Sequence, residues 1–128
     1  MKIAVSSTGK IEDSEIDSRF GRCPYFMIVD TDDEEYEALK NEYQEAMGGA
    51  GIQTAQMLAD RGIEAVITGN VGPNAFQTLD SAGITIYKDQ GTVKNAVERF
   101  NNGELDEVRS QTVRGHFGQK DKRRGGKR

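Results

Sequence analysis

Three short glycine-rich segments carry the residue types that could bind a compact anion. They are Phe20-Gly21-Arg22-Cys23-Pro24, Gly48-Gly49-Ala50-Gly51 and Thr68-Gly69-Asn70-Val71-Gly72-Pro73-Asn74. Glycine lets backbone N–H groups face a ligand without a Cβ in the way. The second and third segments lead into helical patterns, and a helix start adds about half a positive charge at the same place. The sequence therefore predicts a cradle for an anion at these turns.

Three side chains near this cradle have distinctive chemistry. Guanidinium groups such as those of Arg19 and Arg22 suit sulfide, oxo-anion or phosphate faces through charge-assisted hydrogen bonds, although either arginine could instead pair with the acidic turn at 30–34. Next to them, the Cys23 thiolate would be favoured and could ligate iron, but a lone cysteine is often just a small, half-buried side chain. His116 is a further candidate metal ligand, with a solvated tail histidine as the simpler interpretation.

The residue types argue against an enzyme. The chain contains one histidine, and no Ser-His or Cys-His pair is implied by position. Two-metal phosphodiester cleavage needs several converging carboxylates, including one from the first strand, and the segment 2–7 contains none. The acidic residues lie instead on one turn and on outer helix faces, so we expect a solvated surface rather than a catalytic centre.

The hydrophobic pattern predicts the order β-β-β-α-β-α-β-α. Strands are predicted at 2–7, 25–30, 36–43, 65–67 and 84–87, and helices are predicted to begin near 50, 73 and 92. The strands near residues 3, 66 and 85 would be parallel and the early hairpin antiparallel. Such a sheet binds ligands beyond the carboxyl ends of its parallel strands. Ser6, Ser7, Gly69 and Asn70 would lie there, next to the glycine turns.

Length and composition favour one domain. The chain has 128 residues, of which 35% are hydrophobic and 30% charged. A single core of this size can bury most of the apolar surface that folding requires. No run approaches the ~20 apolar residues of a membrane span, and no signal-peptide core is evident, so we expect a cytoplasmic protein without membrane contact.

Charge divides the chain at residue 108. Residues 1–108 have a balance of −11, whereas residues 109–128 have a balance of +7. The basic tail has few apolar groups, and we expect it to be disordered. It could be a solubility tail, an arm that docks on the acidic body, or an arm that binds a partner. Nucleic acid is a weak candidate because no aromatic residues are interleaved as in a reading module.

Three ordered motifs resemble one known family. Arg19-Phe20-Gly21-Arg22-Cys23-Pro24-Tyr25-Phe26, Gly48-Gly49-Ala50-Gly51-Ile52-Gln53-Thr54-Ala55 and Gly72-Pro73-Asn74-Ala75-Phe76 are similar, in order and spacing, to the small dinitrogenase iron-molybdenum cofactor biosynthesis proteins. The resemblance covers about residues 1–108. It implies a ribonuclease-H-like three-layer α/β fold with a five-stranded mixed sheet. It also implies binding of an anionic iron-sulfur or iron-molybdenum-sulfur cluster, or of a precursor.

Together these observations predict a non-catalytic cluster carrier that exchanges its cargo with metallocluster donor and acceptor proteins. The predicted cofactor-binding residues are Ser6, Ser7, Arg19, Gly21, Arg22, Gly48, Gly49, Gly51, Gly69, Asn70, Gly72 and Asn74. Cys23 and His116 are the candidate metal ligands. Two alternatives stay open, namely a small-anion or nucleotide sensor that uses the same cradle, and an interaction protein that acts through the basic tail.

Overall fold

A mixed five-stranded sheet forms the centre of the computed structural model, which describes residues 1–112 of the chain. The strands are β1 (Lys2–Ser7), β2 (Tyr25–Asp30), β3 (Glu35–Lys40), β4 (Ala65–Thr68) and β5 (Thr85–Lys88). The helices are α1 (Ala50–Asp60), α2 (Pro73–Ser81) and α3 (Val93–Asn101). The element order is the predicted one.

The sheet order is β3-β2-β1-β4-β5. β1 pairs antiparallel with β2 and parallel with β4, and β5 continues the parallel part. Helices α1 and α2 pack on one face through residues such as Leu58 and Leu79, while α3 covers the other face through Val93 and Val97. This three-layer arrangement confirms the predicted fold class.

The burial of the strand residues explains the hydrophobic pattern of the sequence. In β1, Ile3 and Val5 pack on the α3 face and Ala4 packs on the opposite face, so every residue after Lys2 is buried. β3 is largely exposed at the sheet edge and ends at Lys40. The predicted continuation to residue 43 is wrong, because the buried side chain of Asn41 accepts a hydrogen bond from the Tyr43 N–H and turns the chain away.

The long connection between β1 and β2, residues 8–24, runs across the carboxyl ends of the parallel strands. The Asp17 N–H donates to the Ser6 carbonyl at 3.0 Å, and the Phe20 N–H donates to the Asn70 carbonyl at 3.2 Å. A bridge between Arg19 and Asn70 continues this pairing. The connection therefore holds residues 18–22 beside the starts of α1 and α2.

The described chain stays in contact with the body beyond the predicted boundary at residue 108. The Val108 N–H donates to the Ile86 carbonyl at 2.7 Å, and the Thr112 N–H donates to the Val71 carbonyl at 2.9 Å. Residues 113–128, which include His116 and most of the predicted tail, lie outside the described residues. None of the helices within 1–112 combines the length and hydrophobicity needed to cross a bilayer.

Candidate functional site

A cleft of about 560 Å³ lies where the connection 18–22 meets the N-termini of α1 and α2. Eight of the predicted binding residues line it together. They are Arg19, Gly21, Arg22, Gly49, Gly51, Asn70, Gly72 and Asn74, and the other lining residues are Ser18, Phe20, Ala50, Ile52, Pro73 and Ala75. Segments that are distant in sequence thus converge at one end of the sheet, as predicted.

Two helix N-termini face this cleft without a side-chain cap. The first helical bond of α1 joins the Gln53 N–H to the Gly49 carbonyl, and that of α2 joins the Phe76 N–H to the Gly72 carbonyl. No side chain caps either helix, and neither has an acidic residue in its first turn. In contrast, the Thr92 side chain caps α3, on the other face of the sheet. Backbone N–H donors and the positive ends of two helix dipoles therefore lie at the cleft.

Close backbone packing draws the two helix starts together. A Cβ at Gly21 would lie 2.9 Å from the Gly51 nitrogen, and a Cβ at Gly51 would lie 3.0 Å from the Ala75 Cβ. Gly49, which precedes α1, has a φ of 72°, in the left-handed region that favours glycine. The glycines therefore serve the packing of the cleft walls as well as leaving space for a ligand.

Asp17 orients Arg19 at the cleft. The Arg19 Nε and Nη2 atoms donate to the two carboxylate oxygens of Asp17 at 3.0 and 2.9 Å, and the Arg19 backbone N–H donates at 2.8 Å. Burial alone would raise the pKa of Asp17, but the hydrogen bonds and charge of Arg19 outweigh it and lower that pKa. Sequence reasoning missed Asp17, because an aspartate that bonds the backbone N–H two residues on is a weak sequence signal.

Arg22 and Asn41 organise the other wall. The Arg22 Nη1 donates to the carbonyls of Gln44 and Ala46 at 3.1 and 2.6 Å, and therefore ties down the loop that precedes α1. The buried Asn41 amide donates to the carbonyls of Gly21 and Cys23 at 3.2 and 2.9 Å. Neither arginine pairs with the acidic turn at 30–34, which was the alternative interpretation.

The charged side chains that line the cleft are basic even though residues 1–108 carry a balance of −11. Its described lining contains two arginines and no carboxylate. A neighbouring depression of about 510 Å³ shares Ser18 and Asn70 with the cleft, and Lys88 lies in it, with its Nζ 3.4 Å from the Asn70 Oδ1. Asp89, also in this depression, is paired with Arg99 at 2.8 Å. Lys88 is thus a further cation next to the cleft that sequence reasoning missed.

Four predicted binding residues lie outside the cleft, which corrects the expectation for them. The buried Ser6 hydroxyl bonds to the Asp17 carbonyl and the Thr68 hydroxyl, at 2.7 and 2.8 Å. The Ser7 hydroxyl bonds to the Gly9 carbonyl. Gly48 is exposed and does not line the cleft. Gly69 packs against Ser18, with which it lines the neighbouring depression.

Cys23 lies in the hydrophobic core. Its side chain is fully buried, and its Sγ donates weakly to the Phe20 carbonyl at 3.4 Å. Burial, aided by the negative charge of Asp17, raises the pKa of Cys23 to about 12. The expectation that Arg19 and Arg22 favour its thiolate is therefore wrong, because desolvation of the anion dominates. The other candidate ligand, His116, lies outside the described residues.

The cleft offers hydrogen-bond donors rather than a set of metal ligands. Residues 1–112 contain no group of three His, Cys, Asp or Glu side chains that could together hold a metal ion. What the walls provide is backbone amides, guanidinium groups and the side-chain amides of Asn70 and Asn74. Such a surface suits an anion that is bound through its outer atoms.

The fold and cleft define a three-layer α/β protein with a cleft rich in hydrogen-bond donors at the carboxyl ends of its parallel strands. The family described as dinitrogenase iron-molybdenum cofactor matches residues 1–103, and this chain belongs to that family. The chain is 33% identical over 110 residues to an uncharacterized protein of Methanocaldococcus jannaschii, with 83% of this chain and 90% of the relative covered.

Two similar solved structures extend the relationship. The apo form of the orange protein from Desulfovibrio gigas is 39% identical, with a TM-score of 0.84 over 88% of this chain and 96% of the other. A NifB-like protein from Thermotoga, solved by NMR, is 38% identical, with a TM-score of 0.77 over 88% and 97%. The family's description names the iron-molybdenum cofactor, and both solved structures share the fold of this chain.

Proposed function

We propose that this chain is a non-catalytic carrier that holds an anionic iron-sulfur or iron-molybdenum-sulfur cluster, or a precursor of one, in the cleft. The observation that carries the proposal is the convergence of two uncapped helix N-termini with Arg19 and Arg22 around a space whose described lining has no carboxylate. Membership of the iron-molybdenum cofactor family supports the metal-sulfur character of the cargo.

The contacts would be made mainly to the outer atoms of the cargo. The amides of Ala50, Gly51 and Ile52 precede the first bond of α1, and those of Asn74 and Ala75 precede the first bond of α2. Their N–H groups can donate to sulfide or oxo atoms, with the two arginines at the rim. Cargo held in this way leaves by exchanging hydrogen bonds, which suits a protein that receives it from a donor and passes it to an acceptor.

The lining residues support a role without catalysis. The cleft walls contain no His, Cys, Asp, Glu, Lys or Tyr side chain among the described residues, so a general acid, base or nucleophile other than Ser18 is lacking there. Two carboxylates near the cleft are paired with arginines, Asp17 with Arg19 and Asp89 with Arg99. The proposed work of the site is therefore binding and transfer.

A charge placed at the cleft tests this proposal directly. Asn74→Asp puts a carboxylate in the first turn of α2, where it should stabilise the helix while repelling an anionic cargo. Asn95→Asp makes the same change in the first turn of α3, on the other side of the sheet. Affinities for tetrathiomolybdate and a synthetic iron-sulfur cluster would be measured by anaerobic titration, with molybdate and ATP for comparison.

We expect Asn74→Asp to weaken binding of the sulfide-bearing anions by about tenfold or more, which corresponds to about 1.4 kcal/mol. Asn95→Asp should bind like the wild type. Equal affinity in both variants would show that the anion does not bind in this cleft. If molybdate or ATP raises the melting temperature and the sulfide-bearing anions do not, the protein is a small-anion or nucleotide sensor instead.

A further inference from the structure

Residues 105–112 form a strap across the β5 edge of the sheet. Leu105 packs with the residues on the α3 face, and Val108 packs with those on the face that carries α1 and α2. Between these two contacts, Glu107 forms an antiparallel bridge with Tyr87 in β5. The strap is therefore fixed to both layers and to the sheet before it reaches its last described residue.

The strap ends in a two-point contact with the turn between β4 and α2. The Val71 N–H donates to the Thr112 hydroxyl at 2.8 Å, and the Thr112 N–H donates to the Val71 carbonyl at 2.9 Å. Val71 is only 1% exposed, so water has little access to its backbone groups. A buried backbone N–H or carbonyl without a partner is costly, and Thr112 supplies the partner for both groups of Val71.

Val71 lies between two residues that line the cleft, Asn70 and Gly72, whereas Thr112 does not line it. Gly72 is the N-cap of α2, and its carbonyl accepts the first bond of that helix from the Phe76 N–H. Core packing holds the Val71 side chain, and the contact with Thr112 holds its backbone. The strap thus reaches the backbone that leads into the helix end at the cleft.

We propose that Thr112 is a positioning residue for the anion site, because it holds the turn 69–72 so that the first amides of α2 stay directed into the cleft. This inference rests on the proposed function and adds to it a residue that acts without touching the cargo. Hydrogen bonds weaken steeply when their angle departs from linearity, so a small rotation of this turn weakens the bonds to the cargo. The coupling is reciprocal, and bound cargo therefore stabilises the Thr112–Val71 contact.

Three full-length variants test the role of the hydroxyl. Thr112→Val keeps the shape of the side chain and removes the hydroxyl that accepts from Val71, whereas Thr112→Ser keeps that hydroxyl. Thr31→Val is the matched control, because the Thr31 hydroxyl bonds to the Met1 carbonyl at the opposite end of the sheet. Anaerobic titration would give the affinity of each variant for tetrathiomolybdate, and urea unfolding would give its stability.

Amide hydrogen exchange, followed by NMR with and without tetrathiomolybdate, tests the reciprocal effect in the wild type. The amide to observe is that of Val71. The amide of Asn95 is the internal control, because it also donates to a threonine hydroxyl, that of Thr92, on the other face of the sheet. This measurement needs no substitution, so it tests the inference even if Thr112→Val does not fold.

We expect Thr112→Val to bind tetrathiomolybdate about fivefold or more weakly than the wild type, and Thr112→Ser and Thr31→Val to bind like the wild type. A residue with a structural role alone would change the free energy of unfolding and leave the affinity of the folded protein unaltered. In the wild type, saturating anion should slow exchange at Val71 more than at Asn95.

Wild-type affinity in Thr112→Val would overturn this inference and leave the carrier function standing. Equal protection of Val71 and Asn95 by the anion would overturn it as well, and so would equal losses of affinity in Thr112→Val and Thr31→Val. If the wild-type protein itself binds neither tetrathiomolybdate nor a synthetic iron-sulfur cluster, the proposed function fails, and the positioning role of Thr112 fails with it.

Discussion

The carboxylate of Asp17 and the guanidinium of Arg19 form a two-point contact at the entrance of the cleft, with N–O distances of 3.0 and 2.9 Å. The two partners differ in environment, because the Asp17 side chain is 6% exposed and the Arg19 side chain 60% exposed. The buried Asp17 carboxylate thus holds the solvent-accessible Arg19 guanidinium in a fixed orientation. The pair belongs to one short turn, since the Arg19 N–H also donates to Asp17.

Asp17→Asn should make the free energy of unfolding less dependent on pH in the acid range. The pKa of Asp17 is lowered in the folded state, whereas the ordinary value is ~3.9. A lowered pKa contributes stability above about pH 4, and that contribution is lost as the pH falls through the folded-state value. Urea unfolding at a series of pH values from about 6 down to about 2 measures the effect. The exposed Asp106→Asn serves as the charge-matched control, and identical profiles for both variants would contradict the assignment.

Gly21→Ala should destabilise the protein, because the new Cβ would lie 2.9 Å from backbone atoms of Gly51 that cannot rotate away. We expect a loss of about 1–3 kcal/mol in the free energy of unfolding and weaker anion binding, as the wall of the cleft is pushed outward. Gly48→Ala is the matched control, since nothing lies within 4 Å of its Cβ position. Denaturant unfolding compares the two, and an unaffected Gly21→Ala would count against the close packing.

Asn41→Ala should also reduce stability. The Asn41 side chain is buried and bonded to the Gly21 and Cys23 carbonyls, to the Tyr43 N–H and to the Thr54 hydroxyl. Truncation leaves several buried polar groups without partners, so we expect a loss of about 2–3 kcal/mol. Gln77→Ala, an exposed amide in α2, should have little effect. Similar melting temperatures for the two variants would show that the Asn41 network is dispensable.

The thiol of Cys23 should not react in the native protein. Its side chain is fully buried, and its pKa of about 12 keeps it protonated at neutral pH. An aromatic disulfide reagent at about pH 8, near the ordinary cysteine pKa of ~8.5, should therefore label it only after unfolding. A Cys23→Ala, Ser81→Cys variant provides an exposed thiol for comparison. Rapid labelling of native wild type would mean that Cys23 is accessible and would revive the metal-ligand interpretation.

Lys88→Gln should weaken anion binding without changing the fold. Lys88 lies beside Asn70 in the depression that adjoins the cleft, so its loss lowers the local positive potential. We expect tetrathiomolybdate affinity to fall by about threefold to tenfold at low salt, because the Lys88 charge is only partly screened there. Lys94→Gln in α3 removes the same charge elsewhere. An equal effect of both substitutions would indicate a general field rather than a local contact.

The fold was predictable because its local signals agree with one another. Pro73 begins α2, Thr92 caps α3, and the apolar residues recur at the periods of the elements that bury them. The end of β3 was not predictable to the residue. The polar run after Lys40 looks like an exposed strand, and only tertiary contacts reveal that Asn41 is buried and bonded to two other segments.

The features of the candidate site that the backbone forms could be predicted from the sequence. The features that depend on side-chain contacts were harder to predict. The glycine turns and Arg19 converge as the topology requires. Ser6 was misplaced because a hydroxyl at a strand end can satisfy its hydrogen bonds inside the protein, here with Thr68. Asp17 was overlooked because a single acid in an acidic chain has no sequence mark that distinguishes a buried partner from a surface charge.

The position of the one cysteine in the chain has a practical consequence for oxygen. Since that sulfur is enclosed in the core, air has no accessible sulfhydryl to convert into a sulfenic acid or an intermolecular disulfide. The polypeptide without cargo should therefore be purified aerobically without oxidation of its thiol. Any sensitivity to air in the loaded form would then reside in the inorganic cargo and could be reversed by reloading the same preparation.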